Sequence, residues 1–153
     1  MGASQITVGE FLYEGTVSFT EVVEYGISLQ ALLAGNVTLP TAGARFDVHF
    51  SGELRGPRLS GTVVGVDYLH MRADGRGELH IHARITTEDA ENIAFFADGV
   101  VFPQEGTPVW QLRENVSLIT ASSSYIWVNQ LQGWGQGTVD PGRGEVRVKA
   151  YAA

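Results

Sequence analysis

Residues 69–88 read LHMRADGRGELHIHARITTE, and this stretch decides the fold. From Gly77 to Glu88 apolar and polar side chains alternate. Leu79, Ile81, Ala83 and Ile85 leave one side of the chain, and Glu78, His80, His82, Arg84 and Thr86 leave the other. A period of two is the mark of a strand, because successive Cβ atoms project from opposite faces of the pleat. Just upstream, Asp74-Gly75 separates this run from Leu69–Arg72. Asp-Gly supplies the positive φ that a tight hairpin turn requires. The stretch therefore predicts an antiparallel hairpin.

The same pattern extends in both directions. Arg45 to Phe50 alternates, with Phe46, Val48 and Phe50 on one face and Arg45, Asp47 and His49 on the other. Further strands are expected around Gln5 to Tyr13, from Val17 to Val23, and at Leu59 to Leu69, where Gly61 and Gly65 suggest bends or close packing. Others follow at Ile93 to Val101, Trp110 to Thr120, Ser124 to Leu131 and Glu145 to Tyr151. Asp140-Pro-Gly-Arg-Gly144 punctuates the chain before the last strand. That makes roughly nine or ten strands at hairpin spacing, the pattern of a sandwich or barrel rather than of βαβ units. The one helix candidate is Ser28 to Leu33, where Ser28 can cap and Leu29, Leu32 and Leu33 share a face. Trp134, set among Gly133, Gly135 and Gly137, reads as a mobile rim loop. The expected fold is all-β: one antiparallel barrel domain over residues 1–153 with at most one or two short helices.

Composition narrows the chemistry. Hydrophobic residues are 44% of the chain and charged ones 18%, which suits a folded soluble domain rather than a disordered one. There is no cysteine, so disulfides, thiol nucleophiles and cysteine-ligated metals are excluded. A net charge of −7 disfavours nucleic acid, which is bound through clustered Lys and Arg. The N-terminal MGASQITVGEFLYEG has neither a basic nor an apolar leader segment, and no run is long enough to span a bilayer, so a cytoplasmic location is expected. Ser122-Ser123-Ser124 lacks a nucleophile-elbow context, and no glycine run has phosphate-loop spacing. The partners left are a small-molecule ligand and further copies of the chain, with no nucleic acid and no membrane.

Several segments resemble a family of unknown function, DUF3237, also called UPF0311. They are Gly52-Glu-Leu-Arg-Gly-Pro57-Arg-Leu-Ser-Gly61, Val66-Asp67-Tyr68, Arg72-Ala-Asp74-Gly75 and Glu78 to Thr87, with Tyr125-Ile-Trp127-Val-Asn129 and Val146 to Tyr151. The resemblance covers most of Arg45 to Tyr151. Two segments depart from it. Glu88-Asp89-Ala90-Glu91 stands where the family has Asp-Asp-Gly, and Ser28 to Gly35 looks like an insertion. The resemblance implies a small lipocalin-like antiparallel barrel. It also implies kinship with proteins of pathways handling aromatic or polyketide-like acids, with cofactor-free lyase or decarboxylase activity suggested for some.

The candidate site follows from which faces turn inward, and alternation alone leaves that open. In a closed barrel each strand gives alternate side chains to the lumen, so a polar face is either the outer wall or the lining of a wet cavity. In the inward reading His82 trades protons, Arg84 clamps a carboxylate, and Asp67 orients the histidine or acts as base. On the Ser124–Leu131 strand, Tyr125, Trp127 and Asn129 fall at spacing two and form an aromatic wall with one amide for substrate. The expectation is that Asp67, His82, Arg84, Trp127 and Asn129 meet in one cavity. The corresponding function is a cofactor-free lyase, isomerase or cyclase acting on a small aromatic or oxygenated acid. The alternative is a non-catalytic small-molecule-binding barrel lined by Leu79, Ile81 and Ile85. A third reading places a metal on His80-x-His82 with His49, Glu78 or Glu88, an incomplete echo of a cupin. It ranks last because a further ligand is only conjectured, and the expectation is no metal and no cofactor.

Overall fold

The computed structural model describes residues 9–153. Eight strands run in chain order: β1 (Phe11–Glu24), β2 (Ala44–Arg55), β3 (Gly61–Met71), β4 (Gly77–Thr87), β5 (Asn92–Pro103), β6 (Trp110–Ile119), β7 (Gly133–Asp140) and β8 (Glu145–Ala152). Each pairs antiparallel with its sequence neighbour, and β8 returns to β1, so the sheet closes into an up-and-down barrel. Closure leaves no strand edge unpaired, which removes the template for edge-to-edge association. The fold expected from the alternation is therefore the fold observed.

The deciding hairpin forms as β3–turn–β4, and the apolar face of β4 turns inward. Leu79, Ile81 and Ile85 are buried, while His80, His82 and Arg84 are exposed. Burial of branched and aromatic side chains from every strand supplies the driving force, and the core draws on Tyr13, Phe46, Val63, Ile93 and Val116 alike. At the turn only Gly75 takes positive φ (91°), and Arg72 and Arg76 close the loop through an Arg72 N–H to Arg76 carbonyl bond of 2.9 Å. Asp74 instead accepts the Arg76 amide on its side chain at 3.2 Å. The loop thus has three residues with the glycine last, the arrangement of a hairpin with a bulge.

Two short helices cover the barrel ends. Helix α1 (Leu29–Leu33) is capped by Ser28, whose Oγ accepts the Ala31 amide at 3.2 Å. It holds Leu29, Leu32 and Leu33 against the mouth formed by Phe19, Met71 and Trp110. The 3-10 helix Ser123–Gln130 covers the opposite end, with Val128 fully buried.

Three expectations are corrected here. Ser124 to Leu131 is not a strand: Asn129 bonds both the amide (2.8 Å) and the carbonyl (2.7 Å) of Thr120, which folds the segment back onto the end of β6. Tertiary packing overrides the local β preference of Tyr, Ile, Trp and Val there. The glycine-rich stretch around Trp134 is not a rim loop but β7. The segments read as Gln5–Tyr13 and Val17–Val23 belong to one long strand from Phe11, bent at a register shift between Phe19 and Glu21. The part of the first before Gly9 lies outside the described residues.

Candidate functional site

The lumen is almost wholly apolar. Val17, Val48, Val63, Ile81, Phe95 and Leu112 are among the residues enclosing a cavity of about 110 Å³. Three polar side chains enter it: Asp67 from β3, Glu114 from β6 and Tyr13 from β1. Each sits there because of strand parity. Asp67 falls in the inward series Val63, Gly65, Asp67, Leu69, and Glu114 in the series Leu112, Glu114, Val116, Leu118. Among the described residues no Lys, Arg or His lines the cavity.

The register explains how Tyr13 and Glu114 face a common space. Tyr13 pairs with Ala150, Ala150 with Gly135, and Gly135 with Glu114. The two residues between them carry a methyl group and nothing, so no bulky side chain fills the wall between phenol and carboxyl. A Cβ at Gly135 would stand 2.6 Å from Cγ and 2.8 Å from Oε1 of Glu114, so the glycine is what makes room for the acid. The Tyr13 hydroxyl is buried and has no hydrogen-bond partner among the described residues.

Asp67 is held differently. The β3–β4 ladder is interrupted between the Asp67–Ile81 and His70–Glu78 pairs. In that gap the His80 amide donates to Asp67 Oδ1 at 3.0 Å. One carboxylate oxygen is thus fixed by backbone.

Desolvation dominates the electrostatics. Burial raises Asp67 to about 6, against a smaller lowering by the His80 amide. Burial raises Glu114 to about 8, and the charge of Asp67 adds to the rise. Tyr13 is pushed well above its ordinary value by burial and by Glu114. Near neutral pH Asp67 is therefore mostly ionised, and Glu114 and Tyr13 are mostly protonated. A base and two donors share one apolar space.

The residues singled out from sequence do not converge. Asp67 is in the lumen, but His82 and Arg84 project from the outer wall, because β4 turns its apolar face inward. His82 lies edge-on to Tyr68 and Phe96 there, with ring centroids 6.1 and 5.2 Å away. Arg84 cannot clamp a carboxylate in the cavity. Tyr125, Trp127 and Asn129 belong to the 3-10 helix at the closed end. The Tyr125 hydroxyl donates to Asp89 Oδ1 at 2.7 Å, and Trp127 lies under the Arg58 guanidinium at 3.6 Å. Asn129 is consumed by Thr120. These three fasten loops to the barrel end and do not line the cavity. Glu114 and Tyr13 were the residues missed. The signal for Glu114 was a single carboxylate on the otherwise apolar face Trp110, Leu112, Val116, Leu118. Among the described residues no three His, Asp or Glu side chains gather as a metal site. Among the described residues no helix is long and apolar enough to cross a membrane.

Comparison with known proteins adds the family. The model of the family described as "Protein of unknown function (DUF3237)" matches residues 22–153. The chain belongs to the DUF3237 family. The matched span contains Asp67 and Glu114 and begins after Tyr13. Among solved structures, a β-barrel-like protein from Acinetobacter baumannii is similar at 19% identity and TM-score 0.77, covering 99% of this chain and 98% of its own. A protein of unknown function from Clostridium acetobutylicum is similar at 21% identity and TM-score 0.76, covering 94% and 97%. A protein described as an enzyme, from Penicillium herquei, is similar at 21% identity and TM-score 0.60, covering 97% and 98%. At these identities the likeness is one of fold. No protein with a curated description matches the chain.

Proposed function

We propose that this DUF3237 barrel is a cofactor-free acid–base enzyme that moves a proton within a small, neutral, mainly apolar molecule held in the lumen. The observation that carries the reading is the placement of Asp67 and Glu114 in one apolar cavity with no cation in its lining, where burial raises both carboxyls, Asp67 to about 6 and Glu114 to about 8. Two like groups driven apart in this way divide into a base and an acid. Asp67 takes the proton and Glu114 holds one to give or to share. Reactions of this kind are isomerisations, eliminations and ring closures, in which electrons move within the substrate and no external oxidant or reductant takes part.

The substrate class follows from the walls. An ionised Asp67 and no cation in an apolar space disfavour a carboxylate, so the acid substrate expected from Arg84 gives way to a neutral one. The cavity of about 110 Å³ and the adjoining apolar space of about 60 Å³ together are comparable to the roughly 150 Å³ engineered cavity that takes up benzene, which sets a single ring as the size limit. Its route in lies beneath α1, where Leu29, Leu32 and Leu33 border a second apolar space of about 60 Å³ that shares Phe19, Val48 and Leu69 with the lumen.

The test is solvent exchange. Small cyclic ketones in D2O are incubated with the protein, and deuterium gained next to the carbonyl is followed by NMR. Protein-dependent exchange is expected, with a rate that rises through about pH 6 and falls through about pH 8, and Asp67→Asn should lower it by roughly a hundredfold or more. Binding without exchange by any ketone would leave the non-catalytic binding barrel as the better reading.

A further inference from the structure

We infer that Tyr13 and Glu114 form a two-donor oxygen site in the lumen, so that the ligand presents a carbonyl or phenol-type oxygen to them and an acidic C–H to Asp67. The inference rests on the acid–base reading of the lumen and names what that reading leaves open, the functional group of the substrate and how it is oriented.

Geometry carries it. Tyr13 and Glu114 occupy one register row separated by Ala150 and Gly135, and both side chains enter the same cavity. The Tyr13 hydroxyl is buried without a partner among the described residues. Buried hydroxyls in folded proteins are nearly always hydrogen-bonded, so an orphan on a residue that lines a cavity marks where a ligand acceptor belongs. Gly135 leaves the space that Glu114 occupies in that row, since a Cβ there would stand 2.6 Å from Cγ and 2.8 Å from Oε1 of its side chain. Asp67 enters from β3 with one oxygen tied to the His80 amide, which leaves the other for a proton. The titratable groups of the cavity lining are these three.

The electrons balance without a co-reactant. Asp67 takes the proton from the carbon next to a carbonyl. The C–H pair becomes the C=C bond of an enolate, and the carbonyl π pair moves onto oxygen. There the charge is met by hydrogen bonds from the Tyr13 hydroxyl and the protonated Glu114. Once the proton held on Asp67 has swapped with solvent, its return to the same carbon gives exchange, and return to a conjugated carbon gives isomerisation. Donors placed where charge develops, in a water-poor site, act on the transition state rather than on the bound substrate.

Single-ring phenols imitate the enol and serve as probes, with toluene as the oxygen-free control. Phenol, 4-fluorophenol and 4-cyanophenol are titrated into the full chain by calorimetry, alongside Tyr13→Phe and Glu114→Gln, each checked for an intact melting transition. The expected result is one site per chain. Tyr13→Phe should weaken the phenols by roughly tenfold or more, as loss of a buried hydrogen bond does, with toluene unchanged. Phenols that bind no better than toluene, or bind Tyr13→Phe as well as the parent, would overturn the oxygen site. The ketone exchange assay separates this from the broader reading. Exchange that persists at full rate in Tyr13→Phe sinks only the oxygen site. Tight phenol binding with no exchange supports the oxygen site and sinks the enzyme.

Discussion

Tyr13 and Glu114 lie in one register row of the barrel with only Ala150 and Gly135 between them. The row joins sequence to chemistry, because two small residues on neighbouring strands are what allow a phenol and a carboxyl to look into the same apolar space. A substitution at either small residue is then a test of the site that touches no ionisable group.

Gly135→Ala is the sharper of the two. Its methyl group would meet Cγ and Oε1 of Glu114 at 2.6 and 2.8 Å, both on a flexible side chain, so the carboxyl rather than the backbone gives way. The expected outcome is a modest loss of stability, about 1–2 kcal/mol from overpacking, and at least a tenfold fall in ketone exchange. Thermal melting and the exchange assay read the two effects separately.

Glu114 also sets a pH dependence of stability. Its folded value is raised from 4.5 to about 8, so between those limits the unfolded chain is ionised while the folded chain holds the proton. The unfolded state then binds fewer protons, and stability falls as pH rises toward 8, by up to about 1.4 kcal/mol per unit for one group. Asp67 adds the same sign between 3.8 and about 6. Glu114→Gln, which stays neutral throughout, is expected to gain on the parent as pH increases. Chemical denaturation at pH 5 and pH 8 measures the gap, and a gap that does not widen would contradict the burial of Glu114.

The outer wall provides the opposite control. His82 and Arg84 project away from the lumen, with His82 packed edge-on to Phe96. His82→Ala and Arg84→Ala should leave exchange and phenol affinity within about twofold of the parent, since they touch neither the cavity nor its electrostatics. A tenfold loss in either variant would return the site to the outer face.

What the sequence showed and hid follows from these same residues. Alternation in Gly77–Glu88 gave the strand and the hairpin, because a period of two is a local property. Which face turned inward was not local. Leu79, Ile81 and Ile85 faced inward only because every other strand also offered an apolar series, and the polar series with His82 was left for solvent. Asp67 was legible as a carboxylate in an inward series, and Glu114 was equally legible but passed over beside the more reactive-looking histidines. Tyr125, Trp127 and Asn129 misled, because a β-prone segment was pulled into a 3-10 helix by the Asn129–Thr120 bonds, which no local pattern announces. β7 was hidden by its glycines, which read as a loop and are in part the space that Glu114 needs.

Ala90 carries a separate expectation. It is the one non-glycine residue with positive φ among the described residues, at 66°, in the turn between β4 and β5. An L side chain there costs about 1–2 kcal/mol, partly offset in a glycine variant by greater freedom of the unfolded chain. Ala90→Gly is expected to stabilise by about 0.5–1 kcal/mol, or ~2 °C in the melting midpoint. An unchanged or lower midpoint would show that the turn is not strained.

An acid–base lumen requires a base and an acid whose proton affinities straddle neutrality. Carboxyl carbons of 13C-labelled protein, assigned with Asp67→Asn and Glu114→Gln, can be titrated by NMR. One step near 6 belonging to Asp67 and one near 8 belonging to Glu114 are expected, with both carbons shifted by 4-cyanophenol. Both carboxyls titrating together in the ordinary carboxylate range, unmoved by the phenol, would contradict it.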